Sequence, residues 1–533
     1  MANQPVTERI LLRGGMVADG VGATIRRADV LIDGGVIAAA GGAGGLGEVG
    51  AVGGVDGSPG DCEVVDLAAG SVICPGFIDA HAHAEGPLLD SGVVLGALAQ
   101  GVTTLVVGQD GESWIGASEA TARYLNLYFA PVNGALSPVR SLSVGEYREA
   151  VSGRLVQNVA VLASQGTIRH NVAGLSAAPL GPAERLAARR EVETALSVGA
   201  VGLSSGLDYL PSRFGAVDEV ADIARPLASA GRPYVSHLRA YGAGVAAGLE
   251  ELAAVGQEAG VRVHASHLWG APAAIEAAFK AAEDARVAIT YDMYPYRKSS
   301  TILAVLLLPP ELQADGPERT LATLADPGQR AILLADEKFS EDYLQNLYLG
   351  CLPEEFAQFA GQSLAAAAAD DRAQSAGEWA LDLLLRTQLN VGAHLDRPTL
   401  AEEHMGWLAR NERQCAGSDG IYQGQHPHPR GYGAFSRLAE YYLGDGAEAG
   451  WQQLARHLAA NAADVYGLRD RGRVAAGMAA DICVIGPQGI VDRAIYGAPT
   501  LEATGVDLVM VNGVIVWRDG KHVPGTTAGL LVS

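Results

Sequence analysis

Lysine is almost missing from this chain. Lys280, Lys298, Lys338 and Lys521 are the only four in 533 residues, and the other cations are arginines. Acidic residues number 60 against 38 basic ones, a net charge of −22. That balance argues against nucleic acid or an anionic membrane as a partner. Cysteine is scarce as well. Cys62, Cys74, Cys351, Cys415 and Cys483 are odd in number, scattered, and never in a CxxC pair. They exclude a disulfide framework and a thiolate zinc site, and they suit a reducing cytosol. No apolar run approaches the ~20 residues of a membrane span. The start, MANQPVTERI, lacks the basic and apolar regions of a signal peptide. A soluble, cytoplasmic protein is expected, with its oligomeric state left open.

Glycine and aliphatic residues are abundant: 68 glycines, and 49% of the chain hydrophobic. A large core follows. Residues 8–40 and the C-terminal segment read as short strands separated by turns, with Asn512-Gly513 a hairpin signal. The two ends are expected to pair in one small β domain, residues 1–62 with 472–533. Gly42, Gly44 and Gly47 satisfy GxGxxG, but EVGAVGGVDGSPG beyond them cannot start the helix a dinucleotide site requires. Between them, apolar runs alternate with Ala/Leu/Glu-rich helical runs. Eight candidate strands fall at 72–79, 103–109, 158–163, 201–204, 233–237, 262–267, 288–292 and 415–419. This α/β pattern predicts a TIM-like (β/α)8 barrel over 63–471. Its seventh and eighth strands are separated by a mostly helical insertion at about 305–405, too long for a structureless loop.

The barrel prediction gives meaning to ICPGFIDAHAHAE, residues 73–85. His81 and His83 are two apart, so in an extended chain they face one side. Asp110 follows the second strand, His237 ends the fifth, His267 ends the sixth and Asp419 ends the eighth. Six potential ligands therefore reach the C-terminal rim, where barrel enzymes keep their chemistry. Imidazole and carboxylate donors suit Zn²⁺, or Mn²⁺, Fe²⁺ or Co²⁺. His264, His394 and His457 read as ordinary buried or surface histidines. Gly202-Leu203-Ser204-Ser205-Gly206 matches the GxSxG nucleophile elbow, but Pro211 blocks the helix that must follow it. His426-Pro427-His428-Pro429 reads as a stiff element orienting Arg430.

PGFIDAHAH, GVTTLVVGQDG, VGLSSGLDYLP, SHLRAYG, SHLWGAP, YDMYPYRKSS, GSDGIYQGQHPHPRGYG and RGRVAAGMAADICV occur in this order. The chain resembles the amidohydrolase superfamily, and most closely its D-aminoacylase (N-acyl-D-amino-acid deacylase) branch, over nearly its whole length. The resemblance implies a β-sandwich split between both chain ends. It makes His81, His83, His237 and His267 metal ligands and Asp419 the general base. It makes Arg430, Tyr294 and Ser300 the holders of the substrate carboxylate, with Tyr209 as a further pocket residue. The implied activity is metal-dependent hydrolysis of an N-acyl amino acid, of D configuration, with one or two divalent ions, zinc foremost. A D-residue dipeptide, a cyclic amide or a lactone is the alternative substrate. A non-catalytic barrel scaffold is the alternative from another class, and it predicts missing ligands where this chain keeps all of them.

The chain departs from the family at three places. Asp110 stands where the family usually has a metal-binding cysteine, and as a harder ligand it can bridge two ions. Glu112, two residues on, lies past the strand end and is the weaker candidate. Trp269 replaces the lysine of the family's SHLK, which predicts altered side-chain preference. Gln165 stands where a histidine is common. None of the four lysines falls on a candidate barrel strand, which excludes the carbamylated-lysine bridge of related hydrolases.

Overall fold

The computed structural model describes residues 9–42, 62–371, 375–397, 400–444 and 448–533. Eight parallel strand positions follow one another in chain order. They are Phe77–Asp79, Val102–Val107, Asn158–Val161 continued by Ala163–Ser164, Leu203–Gly206, Tyr234–His237, Val263–Ala265, Ile289–Met293 and Gln414–Ala416. The ring closes where Ala80 N–H donates to Ala416 O at 2.9 Å and Gly420 and Ile421 pair with Ala82 and His83. Most of these segments are buried along their full length, as expected for parallel strands covered on both faces. Helices such as Pro182–Ser197, Val245–Ala259 and Pro272–Asp284 lie between them. Proline occupies an early helical position in the first and third, where its missing N–H costs nothing.

The segment 72–79 is not one barrel strand. Val72–Pro75 pairs with Met16–Val17 and Ile482–Ile485 in a different sheet, and only Phe77–Asp79 enters the barrel. Gly76 is the hinge. A Cβ there would fall on the side chain of Thr103, so only glycine lets the chain cross at that point. The sheet of both chain ends therefore runs through Pro75, beyond the expected boundary at 62. Among the described residues it has ten strands in the order Lys521–His522, Val514–Arg518, Val506–Val511, Ile482–Ile485, Val72–Pro75, Met16–Val17, Arg26–Asp33, Arg9–Arg13 and Cys62–Asp66, with Val36–Gly42 beside Arg26–Asp33. Its own core draws Ile10, Val30 and Ile32 from one half and Ile482, Leu508 and Met510 from the other. Of the GxGxxG glycines, Gly42 ends a strand; Gly44 and Gly47 lie outside the described residues.

The insertion between the seventh and eighth strands contains more than helices. Ser299–Ile302, Gly392–Leu395 and Leu347–Cys351 form an antiparallel three-stranded sheet. With the surrounding helices it buries a separate core that includes Leu303, Leu349, Phe356 and Leu384. These strands, SSTI, LYLGC and GAHL, are too short to show a period that tells strand from helix. No helix among the described residues is long and apolar enough to cross a membrane.

Candidate metal centre and its pocket

The short turn after the second strand places the central ligand. Gly108 has φ +80° and the following Gln109–Gly111 forms one 3₁₀ turn, with Asp110 itself at φ 56°. His267 and Asp419 also have positive φ, 34° and 49°. Non-glycine residues rarely adopt such angles, and they persist only where the surroundings impose them. The GxSxG stretch supplies that constraint. Ser204 Oγ donates to Gly108 O at 2.5 Å and accepts from Gly111 N at 3.1 Å, while a Cβ on Gly206 would strike Asp110 O. Ser204 thus fastens the Asp110 turn and is not a nucleophile.

Asp110 is shared by two clusters. His81, His83, Asp110 and Asp419 offer ligand atoms that all lie within 4.8 Å of one another, and so do Asp110, His237 and His267. In the first, His83 Nε2 is 3.3 Å from Asp419 Oδ1, and His81 Nε2 is 3.7 Å from it. Asp110 lies 3.5 Å from His81 and 3.6 Å from His83. In the second, Asp110 lies 3.6 Å from His237 Nδ1 and 3.7 Å from His267 Nε2. These separations are long for hydrogen bonds. They match the ~3.4 Å edge of a tetrahedron whose corners stand ~2.1 Å from a metal. His81 Nε2, Asp110 Oδ1 and His237 Nδ1 are buried without a hydrogen-bond partner, which a structural role would not tolerate. The donors therefore fit divalent metal, with Asp110 common to both clusters.

Other side chains aim these ligands. His83 Nδ1 meets Asn133 Oδ1 at 2.9 Å. His81 Nδ1 lies 3.4 Å from Asp292 Oδ2, which also meets His264 Nε2 at 3.1 Å, while Asp292 Oδ1 accepts from His267 N at 2.8 Å. Carboxylate and amide contacts behind metal-binding imidazoles fix their orientation and tautomer. His264 therefore belongs to the support of the centre, and the sequence contained no signal for this. Burial pulls the imidazoles of His81 and His83 down. For His81, Asp292, Asp110 and Asp419 outweigh burial and raise it to about 9; for His83, Asp110 and Asp419 raise it to about 10. Burial alone would raise Asp110 and Asp419, but the imidazoles, and Arg430 at Asp419, hold both below the usual carboxylate range. Two protonated imidazoles thus stand against two carboxylates, and a metal entering the site must displace those protons.

The centre opens on a cavity of about 220 Å³, lined among others by Tyr209, Trp269, Tyr294, Ser300, Arg397 and Arg430. Every substrate residue expected from the sequence thus reaches one pocket. Arg430 is 1% exposed; its Nη1 lies 2.7 Å from Asp419 Oδ2 and its Nη2 donates to Ser300 O at 3.2 Å. His428 Nδ1 accepts from Arg430 N at 3.1 Å, so HPHP does orient the start of the helix Arg430–Leu443. Ser300 Oγ lies 2.9 Å from His394 Nδ1, which ties that histidine to the pocket as well. Tyr209 OH meets Thr301 Oγ1 at 2.9 Å, and its ring packs on His237. Glu112 is buried, but it is in neither cluster. Gln165 is buried, with neither amide atom hydrogen-bonded. Among the described residues no lysine lines the cavity. Arg397 and Tyr241 are pocket residues that sequence reasoning missed.

A model of the amidohydrolase family matches residues 375–517. The chain is 31% identical to an N-acyl-D-glutamate deacylase of Alcaligenes xylosoxydans xylosoxydans, over 97% of this chain and 95% of the relative. A solved N-acyl-D-glutamate deacylase from Bordetella bronchiseptica holds zinc and a phosphonate inhibitor that mimics the tetrahedral intermediate. It superposes with a TM-score of 0.80 and 27% identity over 99% of both chains. A solved D-aminoacylase described by its binuclear metal centre superposes at 0.78 with 26% identity, over 98% of this chain and 99% of the other.

Proposed function

Because the chain belongs to the amidohydrolase family, in its D-aminoacylase branch, we infer that it hydrolyses the amide bond of N-acyl-D-amino acids. The observation that carries this reading is the pair of ligand clusters sharing Asp110, with the Asp419–Arg430 pair at 2.7 Å on the pocket side. A divalent ion, zinc foremost and Mn²⁺, Co²⁺ or Fe²⁺ as substitutes, polarises a carbonyl and acidifies water when bound. His81, His83, His237, His267, Asp110 and Asp419 would hold it.

The protein's own groups perform the rest. Asp419 stays anionic because Arg430 and the imidazoles offset its burial, so it can accept the proton of the attacking water. The water oxygen bonds to the acyl carbon, and the proton passes from Asp419 to the leaving nitrogen as the C–N bond breaks. A carboxylate and a free amino acid result. Arg430, Tyr294 and Ser300 take the substrate α-carboxylate, for which a guanidinium fork is well shaped. Fixing that carboxylate and the scissile carbonyl leaves the side-chain pocket as the third point that separates enantiomers.

The test is a panel of N-acetyl amino acids in both configurations, assayed with chelated and metal-restored enzyme. Hydrolysis of D substrates alone, lost on chelation and regained with Zn²⁺, Mn²⁺ or Co²⁺, is expected. Full activity without metal, or hydrolysis of L substrates only, would overturn the reading.

A further inference from the structure

Position 269 carries tryptophan where the family resemblance implies a lysine, yet the pocket holds a second cation besides Arg430. Arg397 comes from the far end of the insertion, two residues beyond the strand Gly392–Leu395, and lines the cavity. It is only 9% exposed. Its Nε donates to Arg297 O at 2.9 Å and its Nη2 to Tyr296 O at 3.2 Å, which fixes the plane of the guanidinium. That plane lies over Trp269 at 4.7 Å, and Trp269 stacks in turn on Tyr241 at 6.4 Å with rings 4° from parallel. An arginine stacks on an indole in this way and a lysine holds no such plane.

Among the described residues Arg397 has no carboxylate partner, and the adjacent Asp396 is taken by Arg297 through two bonds of 2.7 Å. A buried cation without a counter-ion is costly, so the site is built for an incoming anion. Its position says which one. Arg397 Nη2 also donates to Tyr294 OH at 3.3 Å, and Arg430 lies over the ring of the same tyrosine at 4.6 Å. Two guanidinium groups from different elements converge on Tyr294. Arg430 already spends Nη1 on Asp419 and Nη2 on Ser300 O. Arg397 donates only to neutral acceptors and has no carboxylate among the described residues, so its charge is the less compensated of the two.

We propose that Arg397 is a second binding residue for the substrate α-carboxylate, carried by the insertion and seated on Trp269. This rests on the N-acyl amino acid reading above. The exchange of lysine for tryptophan at 269 is then compensated by an arginine about 130 positions away in the chain, and the insertion becomes part of the substrate site. Trp269 acts as the platform, not as a filler of the side-chain pocket.

The experiment uses the metal-loaded full chain and the Arg397→Met variant, which keeps an apolar stem on Trp269 and removes the charge. N-acetyl-D-leucine, its α-amide and N-acetyl-D-glutamate are compared, with metal content and thermal midpoint as controls. The expected result is a KM for both free acids raised by about tenfold or more, the loss of one charge-assisted contact, with kcat nearly kept and the amide unaffected. Arg397→Met combined with Trp269→Lys should recover much of the loss. Equal losses on acid and amide would overturn the proposal in favour of a structural role. A loss confined to N-acetyl-D-glutamate would overturn it in favour of side-chain recognition. If wild type cleaves no N-acyl-D-amino acid, the functional reading fails, while titration of D-leucine into wild type and Arg397→Met still tests Arg397. Weaker binding to the variant supports it, and equal binding overturns it. Should Arg397→Met not fold, Arg397→Gln replaces it, which removes the charge and keeps a polar head for Arg297 O and Tyr296 O, with the same split between acid and amide expected.

Discussion

Asp110 carries the heaviest load of any single residue, because both clusters need it. Asp110→Ala should strip the protein of metal, seen as a fall in metal per chain by elemental analysis. Glu112→Ala should not, since that carboxylate belongs to neither cluster. Unchanged occupancy in Asp110→Ala would make the position structural. Arg430 does two things, for it faces the pocket and holds Asp419 at 2.7 Å. Arg430→Lys keeps the charge and loses the fork. A charge-assisted hydrogen bond is worth roughly 1.5–3 kcal/mol, so kcat/KM should fall about ten- to a hundredfold with the metals retained. Part of the fall should persist on substrates whose α-carboxylate is amidated, because the bond to Asp419 is lost with either. A normal rate on amidated substrates would show that the Asp419 contact does not matter in turnover.

At the scale of elements, the turn 109–111 depends on the neighbouring strand Leu203–Gly206. Ser204→Ala leaves Gly111 N without its buried acceptor, while Gly108 O keeps Ser164 Oγ at 3.1 Å, a cost of about 1–3 kcal/mol. Metal affinity should weaken roughly 10- to 100-fold, as it does when supports behind ligands are removed. Activity should return with excess metal. Abolished activity at full metal occupancy would restore Ser204 as a nucleophile. The π-helical turn Arg456–Ala460 makes a different demand. It buries His457 with Nδ1 2.8 Å from Gln414 Oε1, on the eighth barrel strand. Burial lowers this imidazole from 6.5 to about 4. Above 6.5 it is neutral in both folded and unfolded chains, and its contribution is complete. As pH falls from 6.5 to about 4 the unfolded chain binds the proton first, and roughly 3 kcal/mol is lost over that window. His457→Gln should flatten the dependence of the thermal midpoint on pH between those values. An unchanged slope would place the acid sensitivity elsewhere, with His394, lowered by its burial to about 3, as the next group to test.

The whole molecule is a barrel joined to a sheet made from both chain ends, and Asp481 sits at the joint. Its Oδ2 pairs with Arg471 and accepts from Asn158 on the third barrel strand at 2.9 Å, while Oδ1 accepts from Asn512 N at 2.7 Å. Without Asp481, Arg471 keeps, among the described residues, only the exposed Asp470 at 3.1 Å, and the Asn158 amide and Asn512 N lose a buried acceptor, at about 1–3 kcal/mol per stranded group. Asp481→Ala should lower the denaturant midpoint and split unfolding into two steps, the sheet before the barrel. Metal content under native conditions should be unchanged. A single transition at the wild-type midpoint would show that the joint is held by apolar packing alone.

The candidate ligands were legible in the chain because their information is local. His81 and His83 are spaced for one face of a strand, and His237, His267 and Asp419 end apolar runs, so the barrel prediction alone brings them to one rim. The same local rules suggested Asp110 and the small sheet of both ends. They failed at Gly76, where the cause is a contact with Thr103 from another strand, and in the insertion, where the strands are too short to show a period. They could not identify Asp292, Asn133 or His264 as supports, since nothing in their neighbours along the chain differs from ordinary core. Arg397 is the clearest case. It lies far from every motif, next to a common surface pair, Arg297 and Asp396. Only the return of the insertion over the barrel mouth sets it on Trp269 without a counter-ion. Local sequence determined which groups can bind a metal, because strand period and strand end are short-range properties. Tertiary structure decided which cations face the substrate, because the pairing of buried charges depends on elements more than a hundred residues apart.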